Sequence, residues 1–491
     1  MKGDFSRDTF DRSKHFSRVL MQQGRVQLDA DWNEQAAILL HYLRTLAADL
    51  IGPFAGPGGA DQGFEIIIDE KKGGDFKIGK GRYYVDGILC ENDHSDLTFT
   101  TQNDYPGASL PVRLDGAYLV YLDVWERHVT ALEDDSIREK ALGGPDTASR
   151  SKIVWQVKVE SNLPDDLKVP NQGDHPNRDR VLGQVVTQWP DLLKFWQPNH
   201  LACLRVQVDR ASKSNDPCLI PPDSKYRGPE NQLYRIEIHR GDRIGPDGQD
   251  NAPTFKWSRE NGSVVSLGSL SGEKLTVLNS RGFHANNWVE LTNNALELRG
   301  EPGTLVKVIN VEADVLTLAS APTIANGENW PCKVRRWDQV EKPGKALVDG
   351  AVPISEGSGE MGWIDLEEGI KIQFMIANGS DKEVKYRTGD YWLVPARVAT
   401  GDIEWPVELN DDGTPVLDDE GHSNPLPRPP HGIFHHYAPL AILSVKDNGI
   451  TGVEDLRCKF RASNEFNIES AGIAGIGGYL SCNNEAGKDE T

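Results

Sequence analysis

The chain has 491 residues, room for about three domains of ordinary size. Asp and Glu outnumber Lys and Arg by 74 to 53, and the net charge of −21 opposes sequence-independent binding to nucleic acid or anionic lipid. Twelve Trp, 12 Tyr and 14 Phe exclude a disordered chain, while 48 Gly and 29 Pro among many short apolar runs disfavour a mainly helical enzyme and point to a turn-rich β protein.

The opening MKGDFSRDTF mixes acids with bases and has no apolar core segment, so it is not expected to be a secretory signal. No apolar run is long enough to span a bilayer, so no membrane insertion is expected. Phe5, Phe10, Phe16, Val19 and Leu20 then follow without a regular period, which reads as an extended arm. Trp32, Ala36, Leu39, Leu43, Leu46 and Leu50 alternate spacings of four and three, the apolar seam of an amphipathic helix. Asp31 and Glu34 have the spacing of a capping box, and Gly52-Pro53 is a firm stop.

After Gly52 the texture is short strands. FEIIID (64–69), FKIGKGRYYVDGILCE (76–91) and GAYLVYLDVWERHVT (116–130) are rich in β-branched and aromatic residues, and the last is expected to be buried on both faces at its centre. A short helix is predicted at SIREKAL (136–142), followed by an alternating strand at SKIVWQVKVE (151–160). Residues 161–180 and 209–230 read as long loops. Between 233 and 320, seven short strands recur about every ten residues, the pattern of a barrel or sandwich. Further strands are predicted at 370–377, 391–397 and 437–445, and the stretch 402–424, with eight acids and no Lys or Arg, as a solvated, mobile loop. The expected partition is an arm and attachment helix at 1–52, a first β domain at 53–160, a loop-rich connector at 161–230, a barrel or sandwich domain at 231–345, a C-terminal β domain at 346–470 and a Gly-rich tail at 471–491. The fold class is mainly β: an N-terminal arm and amphipathic helix followed by several small β-barrel or β-sandwich domains.

Sites of chemistry are sparse. The phosphate-cradling glycine motifs, the nucleophile elbow and the zinc-protease helix are absent from the sequence. The six cysteines lack metal-ligand spacing and are expected to be free, mostly buried thiols. HGIFHHY gathers His431, His435 and His436, but on a loop leading into a strand, where a histidine-lined turn is the expectation. Asp365, Glu367 and Glu368 are an acid–base candidate or a charged strand edge. The loop 247–251 has oxygen ligands but not the calcium-binding pattern. Trp125, Trp257, Trp337 and Trp392 each lie near an Arg in sequence, as Arg-covered indoles on exposed sheet faces or as a sugar-stacking platform. No catalytic residue, metal or cofactor is assigned.

HFSRVLMQQGRVQLDADWNEQ (15–35) resembles the opening of an uncharacterised bacterial domain family whose genes lie in clusters for phage-tail-like contractile injection systems; a looser relative opens certain phage baseplate and tail-fibre proteins. The matching positions are Gly24, Arg25, Gln27, Asp31, Asn33, Glu34 and Gln35, and GRYYVDGILCE (81–91) is similar to the hairpin that follows the opening helix in such tail proteins. LDVWERHVTALED, YRIEIH, TFKWSRENGSVV, GDYWLVPAR and HHYAPLAIL extend the likeness over nearly the whole chain.

The resemblance implies a structural, non-enzymatic part of a contractile particle, baseplate-associated as an accessory, cage or fibre-like protein. Its implied partners are other particle subunits (baseplate or sheath proteins) and further copies of itself, with no nucleic acid and no membrane insertion. Synthesis and assembly in the cytoplasm, then release with the particle, is the matching localisation. Phe5, Phe10, Arg18, Gly24, Arg25, Gln27, Asp31, Trp32, Asn33 and Glu34 are the candidate partner-binding residues. The alternatives are a module binding glycan or protein on a target surface, and an envelope-polymer hydrolase using carboxylates.

Overall fold

The computed structural model describes residues 1–5, 9–59, 62–68, 75–110, 115–160, 178–197, 202–209, 225–244, 250–322, 332–342, 346–357, 362–376, 386–418, 421–447 and 449–460. The fold is mainly β and includes a closed six-stranded barrel. The chain forms two compact units, each discontinuous in sequence: one holds Met1–Arg7, His128–Arg150 and Pro198–Ile433, the other Asp8–Arg127, Ser151–Gln197 and Phe434–Thr491. The tail at 471–491, Cys218 and Cys482 lie outside the described residues, as do most of the loops expected at 161–180 and 209–230. Cys90, Cys203, Cys332 and Cys458 are buried, and burial raises the Cys332 thiol to about 12.

The first unit contains the barrel. Its strands run in the order Val265–Ser271, Lys274–Val277, Val315–Leu318, Thr304–Glu312, Trp288–Thr292 and Cys332–Trp337, closing on the first. Alternation decides what fills it: Leu275, Val277, Val289, Leu291, Val306, Val308, Leu316 and Leu318 are buried together. A second core lies between a five-stranded sheet, built around Gln232–Arg240, and a three-stranded one, built around Ile370–Ile376. The helix expected at 136–142 is two separate 3-10 turns, Asp135–Ile137 and Lys140–Leu142. The acidic stretch 402–424 is not a free loop. Its described residues form a meander in which Glu408, Asn410, Val416, Asp418 and Asn424 donate backbone hydrogen bonds across it and Arg205 pairs with Glu408.

An ionic cluster sits inside this unit. Glu237 lies 2.6 Å from Lys2, 2.6 Å from Arg235 and 3.3 Å from Lys256. Lys256 also meets Glu290 at 2.5 Å, and Glu290 accepts from the Trp337 indole and the Gly303 amide. Both lysines lie over the Trp337 ring. Burial alone would raise both carboxyls, but the cations prevail: Lys256 and Lys2 hold Glu290 near 2, and Lys2, Arg235 and Lys256 hold Glu237 well below the carboxylate range. Burial lowers Lys2 to about 8, His239 to about 3 and His128 to about 4.

These shifts fix a direction for acid. Imidazoles of the unfolded chain take up protons near pH 6.5, His239 and His128 only near 3 and 4, so the unfolded state binds more protons in between and stability falls as pH drops below 6.5. Glu237 and Glu290 stabilise fully above 4.5 and lose that contribution as pH falls through their depressed values, about 2 for Glu290. Each extra proton on the unfolded side adds up to about 1.4 kcal/mol per pH unit to the slope. Urea unfolding followed from pH 7 to pH 3 should therefore show a falling midpoint, and His239→Gln should flatten it between 6.5 and 3. An unchanged slope in that variant would mean His239 titrates normally in the fold.

In the second unit, the strand Gly116–Val129 pairs along most of its length with His435–Lys446, flanked by Arg150–Glu160 and Gly449–Asp455. Tyr118 through Trp125 are all buried, as expected of a central strand. Ile153, Trp155, Val157 and Val159 of the strand Arg150–Glu160 pack on the core of this unit, as the alternation predicts, and Val154 and Gln156 on its other side are buried as well. The described residues form α-helices α1 (Asp29–Ile51) and α2 (Arg178–Trp196) in this unit and α3 (Asn294–Arg299) in the first. Leu182, Val185, Trp189 and Leu192 of α2 join the core of the second unit.

Gly81–Val85 and Ile88–Asn92 form a hairpin whose two-residue turn, Asp86-Gly87, has positive φ at both positions, as a type I′ turn demands. The turn also positions α1. A Cβ at Gly87 would lie 2.0 Å from the Arg44 carbonyl oxygen, so only glycine lets the helix backbone rest on the hairpin. The Arg44 guanidinium pairs with Glu126, Ala30 and Ile38 are buried, and Gly52 at φ +90 ends the helix.

Candidate assembly surface

The arm and α1 carry all of the candidate partner-binding residues, and these take distinct places. Phe5 belongs to the first unit and packs on His128, with ring centroids 5.2 Å apart; Gly3 donates to the Asn261 carbonyl beside it. Phe10 is half-buried against His41 of α1. Trp32, by contrast, is 64% exposed. Of the three aromatic rings, it is the one with a free face.

Two polar positions of the opening motif hold the arm to the helix. Glu34 accepts from the Thr9 hydroxyl at 2.6 Å, and the Gln35 side-chain oxygen accepts from the Val19 amide at 2.8 Å. Glu34 therefore closes no capping box with Asp31. The helix begins two residues earlier, at Asp29, with Leu28 at the N-cap and no side-chain cap bond. Gly24, at φ +72 with open space around it, makes a sharp turn, closed by the Arg25 amide on the Gln22 carbonyl. Arg18, Arg25, Gln27 and Asn33 are exposed and Asp31 is half-buried.

Around these residues the surface is unusually apolar. Phe16, Leu20, Met21, Val26 and Leu28 are exposed on the arm, Val26 to 84%. On α1 the whole predicted seam faces outward: Trp32, Ala36, Leu39, Leu43, Leu46 and Leu50 are exposed, with Leu40 and Tyr42 beside them. Leu40 and Tyr42 were not legible as site residues because they lie off the seam. Gly87 and Lys2 were also missed: the DG turn marks a hairpin but not what rests on it, and a lysine near an N-terminus carries no local signal of burial.

The other candidate chemistry resolves into structural ties. Trp125, Trp257, Trp337 and Trp392 are all buried, which overturns their placing on exposed faces and removes the indoles a sugar platform would use. Their ring faces meet Lys158, Lys2 and Lys256 where a cation is present, not the neighbouring arginines. His435 binds buried Asp123 at 2.6 Å and His436 binds Asp86 at 2.8 Å, so the two histidines serve different carboxylates. No group of three or more metal-ligating side chains occurs among the described residues. Glu367 accepts from the Tyr234 hydroxyl at 3.0 Å and from Arg259 at 2.8 Å; burial raises its carboxyl, against the pull of Arg259. Asp365 is exposed, 3.6 Å from Lys371.

Residues 1–172 and 160–468 match a family of unknown function, DUF6519. The chain belongs to this family. No curated protein and no solved structure matches it. No helix among the described residues is long and apolar enough to cross a membrane.

Proposed function

We propose that the chain is a structural component of a phage-tail-like contractile injection particle, baseplate-associated and held to neighbouring subunits through its N-terminal arm. One observation carries this reading. The arm is pinned to α1 through Glu34 and Gln35 yet turns Phe16, Leu20, Met21, Val26 and Leu28 to the surface. Large apolar side chains held in place and uncovered mark a site awaiting a partner. The opening motif supports the same assignment, since two of its matching polar positions, Glu34 and Gln35, fix the arm. On this reading the β units are the displayed body, and the chain leaves the cell as part of the particle.

The test is co-purification. Wild-type chain is expected in particles isolated from cells that carry the injection-system genes. Leu20→Asp with Val26→Asp should leave the chain folded in the lysate but reduce its particle-bound amount at least tenfold. Retention at the wild-type stoichiometry, or absence of the wild-type chain from particles, overturns the assignment.

A further inference from the structure

The outward face of α1 has a register of its own. Its apolar positions, 32, 36, 39, 43, 46 and 50, keep a strict alternation of four and three, the seven-residue repeat of a coiled coil. The face that the chain itself covers is a different one, carrying Ala30, Ile38 and Arg44. The repeat therefore does not serve the docking of α1 onto its own unit.

What would cover it is constrained by charge and apolar exposure. In the seam and the flanking positions 33, 35, 40, 42, 47 and 49, Asp49 is the single charged residue. A chain of net charge −21 repels its own copies over most of its surface, and this nearly uncharged stripe is where they approach at least cost. Seven large apolar side chains of the seam and its margins, Trp32, Leu39, Leu40, Tyr42, Leu43, Leu46 and Leu50, are each 41–64% exposed, a contiguous stripe of the kind that marks an interaction surface. A foreign helix would need a matching repeat; another copy of α1 supplies it.

We propose that copies of this chain associate through α1, the seams of three or more helices packing together as a bundle. Leu40 and Tyr42 widen the stripe beyond the two positions per heptad of a two-stranded seam, which sets the higher number. The inference shares with the proposed function the reading of the N-terminal segment as an assembly element, but it concerns the helix and not the arm, and it is read on the isolated protein.

Sedimentation of the purified full chain should give a mass of at least three copies of 54.3 kDa. Leu39→Glu, Leu43→Glu and Leu46→Glu together should bring it to one copy with the far-UV circular dichroism of the wild type, because within one chain these side chains face outward and take no part in its own packing. Thr45→Glu, on the same exposed turn but off the seam, should leave the assembly intact. A monomeric wild type, a triple variant that stays assembled, or dissociation by Thr45→Glu would each overturn the inference. An arm variant that leaves the particle while the purified chain stays oligomeric supports both assignments. An intact oligomer with wild-type chain missing from particles overturns the proposed function alone.

Discussion

Glu237→Ala should destabilise the first unit by about 3–5 kcal/mol, the loss expected when one member of a buried ion cluster is removed and its partners stay. The carboxylate serves Lys2, Arg235 and Lys256 at once, and alanine would leave three cations facing one remaining carboxylate, Glu290. Against a total stability of roughly 5–15 kcal/mol, such a loss is a large fraction of what holds the unit folded. Urea denaturation at pH 7 is the direct measurement. Lys2→Met should cost less in the Glu237→Ala background than in the wild type, because the charge it pairs with is gone. A change below about 1 kcal/mol for Glu237→Ala, or strict additivity of the two substitutions, would show that water rather than Glu237 carries these lysines.

Gly87→Ala should release α1 from the hairpin at a cost of about 2–4 kcal/mol. Two penalties coincide: φ of +77 is strained for any residue with a Cβ, and the new atom would meet the Arg44 carbonyl oxygen at 2.0 Å. That oxygen is backbone and cannot rotate aside, so the helix must lift and Arg44 must leave Glu126. The expected result is faster amide exchange and proteolysis across 29–51, with the strands 116–129 and 435–446 still protected. Wild-type protection of the helix in this variant would mean that the hairpin, not the helix, gives way.

The sequence announced the elements better than their orientation. The 4-3-4-3 spacing marks α1 whichever way the seam points, because a core-facing stripe and a partner-facing one obey the same period. What turns the seam outward is remote: Gly87 and Glu126 seat the opposite face. The barrel strands were legible from their regular recurrence, whereas Cys332–Trp337, which closes the barrel, follows a long interval and was not among the regularly spaced strands. The tryptophans show the limit of reading neighbours along a chain. An arginine two residues from an indole shares its strand, but the cations over Trp337 come from positions 2 and 256. The same holds for Glu34, whose partner at Thr9 lies twenty-five residues away and displaces a local capping bond.

The pairing of Gly116–Val129 with His435–Lys446 has a consequence for biogenesis. Asp123 and His435, joined in that sheet, are 312 residues apart in the chain. At roughly 5–20 residues per second of synthesis, the earlier strand waits on the order of 15–60 seconds on the ribosome before its neighbour emerges. Throughout that delay eight consecutive residues built for burial, Tyr118 to Trp125, present an unsatisfied edge to solvent. Yield of this protein should thus depend on nascent-chain chaperones and on the pace of translation through the intervening three hundred codons more than on the equilibrium stability of the finished fold.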